Sequence, residues 1–268
     1  MKGVNPLSTD LTGRHALVLG GTSGLGFASA SALAAAGATV TVTSRDAERA
    51  ANVAASLTGS GHRGLALDLA ATPDTDAGTD AFISAITDQP AVDILVLNGG
   101  GPPPAAAIDV DAAMTATALQ PLLLSQINIV RSVLPQMMTA GWGRIVAIGS
   151  SGVQQPIPTL ALSNIGRAAL AAYLKSLAAD VAHHGVTVNM VLPGRIGTDR
   201  VAALDEARAK ATGHTVDEIR DASRATIPAG RYGNPDEFAA AVAFLCSPQA
   251  SYITGVQLRA DGGMVGSF

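Results

Sequence analysis

Short aliphatic and β-branched runs recur along this chain, and Ala-rich stretches with helical periodicity separate them. The runs fall at 15–19, 39–43, 64–67, 93–97, 143–148, 187–191 and 255–258. Regular strand–helix alternation demands crossover connections, which leave successive strands parallel and the crossovers right-handed. Ile94-Leu95-Val96-Leu97 is apolar at every position, as befits a strand covered on both faces. Leu170, Leu174, Leu177 and Val181 recur at i, i+4, i+7 and i+11, giving one apolar face to a long helix over 160–182. The expected fold is a single doubly wound α/β domain over 1–268. No fixed-period repeat and no linker divides it. The charged stretch 200–229 is the candidate substrate lid, with short exposed helices expected over 205–210 and 217–224.

The first run opens into Gly20-Gly21-Thr22-Ser23-Gly24-Leu25-Gly26, and a helical stretch over 27–36 follows. This is G-x-x-x-G-x-G between a strand and a helix. A β–α turn that receives a pyrophosphate must be tight, let its backbone approach the ligand, and pack its helix close to the strand. The helix N-terminus then offers free N–H groups and a positive dipole end. Three spaced glycines alone are equally a tight turn without a ligand; their place after the first strand favours a dinucleotide. The second strand ends in Thr43-Ser44-Arg45, where an adenosine ribose is expected. No acid stands there to take ribose hydroxyls. Arg45 suits a 2′-phosphate through charge-assisted bonds, with Ser44 beside it, so NADP(H) is preferred over NAD(H). Asp46 reads as the N-cap of a helix over 47–55. Asp68 and Leu69 close the third strand, where a carboxylate can accept from an adenine amino group. Asn98, Gly99 and Gly100 close the fourth, again at a carboxyl edge.

Composition narrows the partners. The 268 residues are 48% hydrophobic and 14% charged, with a formal charge of −4, which is a globular chain with no basic block for nucleic acid. The one cysteine, Cys246, ends an apolar helical run and reads as a buried hydrophobe. No cluster of Cys, His and acidic residues has metal-ligand spacing. Residues 1–6 lack the apolar core of a secretory signal. No apolar run approaches the ~18 residues needed to span a bilayer. A soluble cytoplasmic protein with a small-molecule substrate, and with neither nucleic acid nor membrane as partner, is expected.

From about Gly13 onward the chain resembles the short-chain dehydrogenase/reductase family, within it the 3-oxoacyl-carrier-protein reductases. The stretches that carry the resemblance are the glycine turn, Asp68-Leu69, 93–100, 143–150, Val188-Asn189 with Pro193-Gly194, and Ile253-Thr254-Gly255 with Asp261-Gly262-Gly263. The resemblance implies a Rossmann-type seven-stranded parallel sheet with helices on both faces, in a homo-dimer or homo-tetramer paired through the long helix and the C-terminal 262–268. It assigns Gly20, Gly24 and Gly26 to the pyrophosphate, Asp68 to the adenine, and Asn98 and Gly100 to the adenosine-side ribose and backbone shape. It sets Pro193, Gly194, Ile196 and Thr198 beside the nicotinamide.

The resemblance also implies a Tyr-x-x-x-Lys pair on the helix after the fifth strand, a Ser thirteen positions before the Tyr, and an Asn on the preceding long helix. Ser150 fits the carbonyl-polarising Ser. Ser163 stands at the Tyr position and Arg167 at the Lys position, and the Asn position falls at Leu122 or Leu123. Ser163 and Arg167 are i, i+4 and share a helix face. Arg167 can hold ribose hydroxyls as a fixed cation. An alkyl hydroxyl is a far weaker acid than a phenol of pKa about 10, so Ser163 is a poor proton donor at neutral pH. The three tyrosines offer no obvious substitute: Tyr173 lies roughly 15 Å along the same helix, and Tyr232 and Tyr252 read as packing residues. His214, Asp199 and Arg200 lie where a lid side chain can enter the cleft. The prolines Pro102, Pro103 and Pro104 stiffen a turn, or shape an apolar substrate wall.

Three functions fit this pattern. The first is an NADPH-dependent reductase of a ketone or 3-oxoacyl group with a non-standard proton donor. The second is a cofactor-binding pseudoenzyme or sensor without redox chemistry. The third is a lyase or isomerase that uses Arg167 as an anion hole.

Overall fold

The computed structural model describes residues 9–71, 84, 86 and 90–267. The N-terminal 1–6 stretch and Phe268, read above for signal sequence and pairing, lie outside them. Seven strands, β1 (His15–Val18), β2 (Thr39–Ser44), β3 (Arg63–Ala66), β4 (Ile94–Leu97), β5 (Gly143–Ile148), β6 (Val186–Pro193) and β7 (Gln257–Ala260), form one sheet. Their order is β3-β2-β1-β4-β5-β6-β7, and every neighbouring pair is parallel. The order reverses at β1, whose neighbours are β2 and β4. In such sheets ligands bind off the carboxyl ends at that switch point.

Side chains alternate across the pleat into two cores. Leu17, Leu95, Ile145 and Val188 face α4 (Ser125–Ala140) and α5 (Ala161–Val181), meeting Val133, Met137, Leu170 and Leu174. Val18, Val40, Val96 and Val146 face α1 (Gly24–Ala35) and α8 (Pro235–Cys246), meeting Ala30, Leu33, Phe238 and Val242. The apolar runs thus feed both faces at once, as the sequence predicts. Cys246 is buried in the second core, where burial pushes its thiol up to about 12. It is a packing residue.

Boundaries moved where a glycine or a cap intervened. The last strand begins at Gln257, because Gly255 adopts φ +71 and gives its N–H to Val188 O at 2.7 Å as a turn. The charged stretch after β6 forms α6 (Asp199–Thr212) and α7 (Val216–Ala225). The first is longer than expected. Thr198 caps its start and Gly213, at φ +72, ends it. It is also not wholly exposed, since Asp205 and Ala209 are buried.

Between α3 (Ala112–Leu119) and α4 the chain forms a π-turn over Gln120–Leu124. Pro121 lies inside it and has no N–H to continue the helical ladder, which accounts for the widened turn. Leu122 is thereby buried against α5. A Cβ on Gly166 would lie 2.7 Å from its Cδ1.

Candidate active site

The carboxyl ends of β1, β2, β4, β5 and β6 open into one cleft of about 1370 Å³. That exceeds the roughly 300–1,000 Å³ of a single-ligand pocket, leaving room for a dinucleotide and a substrate together. Among the residues singled out from sequence, Gly20, Thr22, Ser23, Gly24, Leu25, Ser44, Arg45, Asp68, Leu69, Asn98, Gly99, Gly100, Ser150, Ser163, Arg167, Pro193, Gly194, Ile196 and Thr198 line it. Gly26 is the exception. It is buried below the cleft, and a Cβ there would lie 2.2 Å from Gly20 O. Its part is to let α1 close onto the strand end.

The turn is built for a ligand. Gly20 and Gly24 adopt φ +55 and +52, the left-handed region that favours glycine. The Gly20 N–H donates to Thr43 Oγ1 at 3.0 Å, and Asn98 Nδ2 donates to Gly20 O at 3.2 Å, so β2 and β4 fix the turn from both sides. Ser23 is the N-cap of α1, yet its hydroxyl makes no cap bond and stays free for an incoming anion. Across the gap stands Thr198, whose Cγ2 would be 3.8 Å from a Cβ on Gly24. These features fit a pyrophosphate.

At the adenosine end Arg45 is exposed and Asp46 caps α2 (Ala47–Ser56), accepting from Arg49 N–H at 3.0 Å. Arg49 was missed from sequence. Its guanidinium reaches back to Thr22 O at 3.4 Å and lines the cleft beside Arg45. The signal was its place in the first turn of the helix that starts at the β2 end. Asp68 accepts from Ala70 N–H at 3.0 Å through one oxygen and leaves the other available.

At the other end the side chains of α5 meet the ends of β4 and β5. Arg167 Nη1 donates to Ile148 O at 2.8 Å, Nη2 to Gly99 O at 3.4 Å, and Nε to Ser163 Oγ at 3.3 Å. Burial, with the charge of Arg200 nearby, pulls this guanidinium down to about 10, still a cation at neutral pH. Ser150 Oγ accepts from Gly152 N–H at 3.0 Å. Both serine hydroxyls therefore accept a bond and keep their own proton free to donate. Asn164, not singled out from sequence, clamps the neighbouring loop: Nδ2 donates to Ile157 O at 3.0 Å and Oδ1 accepts from Ile157 N–H at 3.3 Å.

No tyrosine lines the cleft among the described residues. Tyr232 donates to Asp205 at 2.9 Å, Tyr252 is fully exposed, and Tyr173 packs beside the first core. His214 is exposed, faces Glu218 at 3.6 Å and does not line the cleft. Asp199 and Arg200 do reach the cleft, and so do Pro102 and Pro103, which form part of its wall as well as a stiff turn. The root of α6 is anchored, because buried Asp205 accepts from Arg195 at 2.5 Å as well as from Tyr232. Among the described residues no group of metal-ligating side chains occurs, and no helix is long and apolar enough to cross a membrane.

Comparison with known proteins agrees with this frame. Residues 20–265 match the family model described as enoyl-(acyl carrier protein) reductase. The 3-oxoacyl-(acyl-carrier-protein) reductase FabG of Vibrio cholerae is 37% identical over 256 residues, covering 95% of this chain and 98% of that protein. L-sorbose reductase of Gluconobacter frateurii, solved with NADPH and L-sorbose, superposes with a TM-score of 0.89 at 27% identity, over 98% of this chain and 100% of the other. A variant actinorhodin polyketide ketoreductase solved with NADPH gives 0.86 at 30% identity, over 95% and 98% of the two chains.

Proposed function

This chain belongs to the short-chain dehydrogenase/reductase family, and on that premise we propose that it is an NADPH-dependent reductase of a carbonyl compound. One observation carries the reading. The glycine turn and three donor side chains, Ser150, Ser163 and Arg167, line the same cleft. When bound, NADPH supplies a hydride to the carbonyl carbon. Ser150 and Ser163 donate their free protons as hydrogen bonds to the carbonyl oxygen, and the Arg167 cation stabilises the charge that develops there. Donors aimed at such an oxyanion are worth roughly 10²–10³ in rate each. With no phenol lining the cleft, the proton that completes the alcohol comes from water, and the hydroxide left behind is neutralised by solvent. The ketone and 3-oxoacyl reductases among the relatives support this substrate class. Stopped-flow oxidation of bound NADPH against a panel of ketones and 3-oxoacyl thioesters tests it. Single-turnover loss of the reduced cofactor with at least one member is expected, and silence across the panel would rule the reading out.

The cofactor preference rests on Arg45 and Arg49, two cations at the ribose end with no carboxylate at the β2 terminus. Replacing both by Ala is expected to weaken NADPH binding about 10–100-fold, as the loss of two exposed charge-assisted contacts implies. NADH binding changes by less than about 3-fold. Fluorescence titration of both cofactors measures it; equal losses for the two would remove the 2′-phosphate assignment.

A further inference from the structure

We propose that the substrate is an anion, a short oxo acid whose carboxylate is bound by Arg200 while its carbonyl lies at Ser150 and Ser163. This builds on the reductase reading of the cleft and names the substrate class. Four charged side chains line that end: Arg167, Arg195, Asp199 and Arg200. Arg195 is already paired with Asp205. Asp199 sits in the first turn of α6, at the helix end that favours a negative charge. Arg167 and Arg200 hydrogen-bond only to each other's surroundings, that is, to Ser163 and to the main-chain carbonyls of Ile148, Gly99 and Pro102. Neither is in an ion pair among the described residues. Two like charges facing one cleft repel each other, and an anion between them turns that repulsion into attraction.

Arg200 is exposed, and its Nη2 donates to Pro102 O at 3.1 Å. Its guanidinium lies flat against Gly101, at the place a Cβ of any other residue would take, 2.6 Å from Nη2 and 3.0 Å from Cζ. The wall beneath it is stiff. Pro102 and Pro103 fix its dihedrals, and Ala105 bridges to Leu160 at the start of α5. The carbonyls that hold the two guanidinium groups, Gly99 O and Pro102 O, are three residues apart, hence within about 10 Å. Arg200 is close enough to Arg167 for its charge to act on that guanidinium, so one small molecule can meet both. The cofactor's pyrophosphate is the other anion available. Thr198, the glycine turn and the α1 N-terminus already face its place, whereas Arg200 turns to the opposite wall.

The test compares 2-oxo, 3-oxo and 4-oxo acids with their methyl esters, titrated by calorimetry into the NADP⁺-loaded protein. At least one acid is expected to bind 10-fold or more tightly than its ester. Arg200→Met removes that difference and leaves the ester and NADPH within 2-fold, while Arg200→Lys retains part of it. Equal binding of every acid and ester, or no binding of either, overturns the inference. So does an Arg200→Met variant that loses NADPH instead of the acid, which assigns the guanidinium to the cofactor. Turnover of neutral ketones without acid preference sinks this inference alone. A panel with no turnover sinks the reductase reading, and the calorimetric result still decides the anion site.

Discussion

Arg167→Ala is expected to lower kcat/KM for carbonyl reduction by about 10³-fold, with kcat falling more than KM rises. The guanidinium touches three partners at once: the ends of β4 and β5 and the Ser163 hydroxyl. Its loss removes the cation that answers the developing oxyanion and frees Ser163 from its orienting bond. It also leaves Ile148 O and Gly99 O without this donor, each a cost of about 1–3 kcal/mol where no water replaces it. Arg167→Lys keeps the charge, but a point donor on a flexible stem does not reproduce a planar fork. A deficit of roughly 10–100-fold is expected to remain. Steady-state kinetics with thermal melts on both variants separate lost chemistry from lost fold. An alanine variant that melts normally and retains a tenth of the wild-type rate would remove Arg167 from the chemistry.

Gly26→Ala is expected to abolish measurable NADPH binding, a loss of at least about 100-fold, and to lower the melting temperature. The added Cβ would meet Gly20 O at 2.2 Å and Asn98 Nδ2 at 2.8 Å. The first of these is a main-chain atom with no rotamer through which to escape. The turn must shift, and the Asn98–Gly20 bond that sets its depth breaks with it. Gly100→Ala is the control for folding. Its Cβ meets nothing within 4 Å, so stability stays within about 0.5 kcal/mol of the parent. Cofactor titration and a melting curve on the two variants check the pair. Normal NADPH affinity in Gly26→Ala would show that the close approach is not what shapes the cradle.

The cofactor end was legible because its chemistry is local in the chain. Gly20, Ser23, Gly24 and Gly26 lie within one turn, strand periodicity placed Asn98 at the carboxyl edge of the sheet, and the family resemblance placed Pro193 there. Elements with strong internal patterns, β5 above all, emerged with the expected bounds. What escaped was set by contacts between distant segments. Asp205 belongs to a charged stretch and reads as solvated, yet Arg195 and Tyr232 neutralise and bury it. Asn164, between Ser163 and Arg167, acquires its clamping role only through the distant loop at Ile157. Arg200 acquires its place only when Gly101 comes beneath it. Gly26 was assigned to ligand contact because spacing does not tell a residue that touches a phosphate from one that lets another touch it.

Leu122, wedged between the π-turn and Gly166, is a buried hydrocarbon in the wall of the cleft. A hydrocarbon plug there offers no hydrogen bonds to string a file of waters through the fold behind Arg167. Protons consumed in turnover then reach the carbonyl from the solvent-facing side of the cleft.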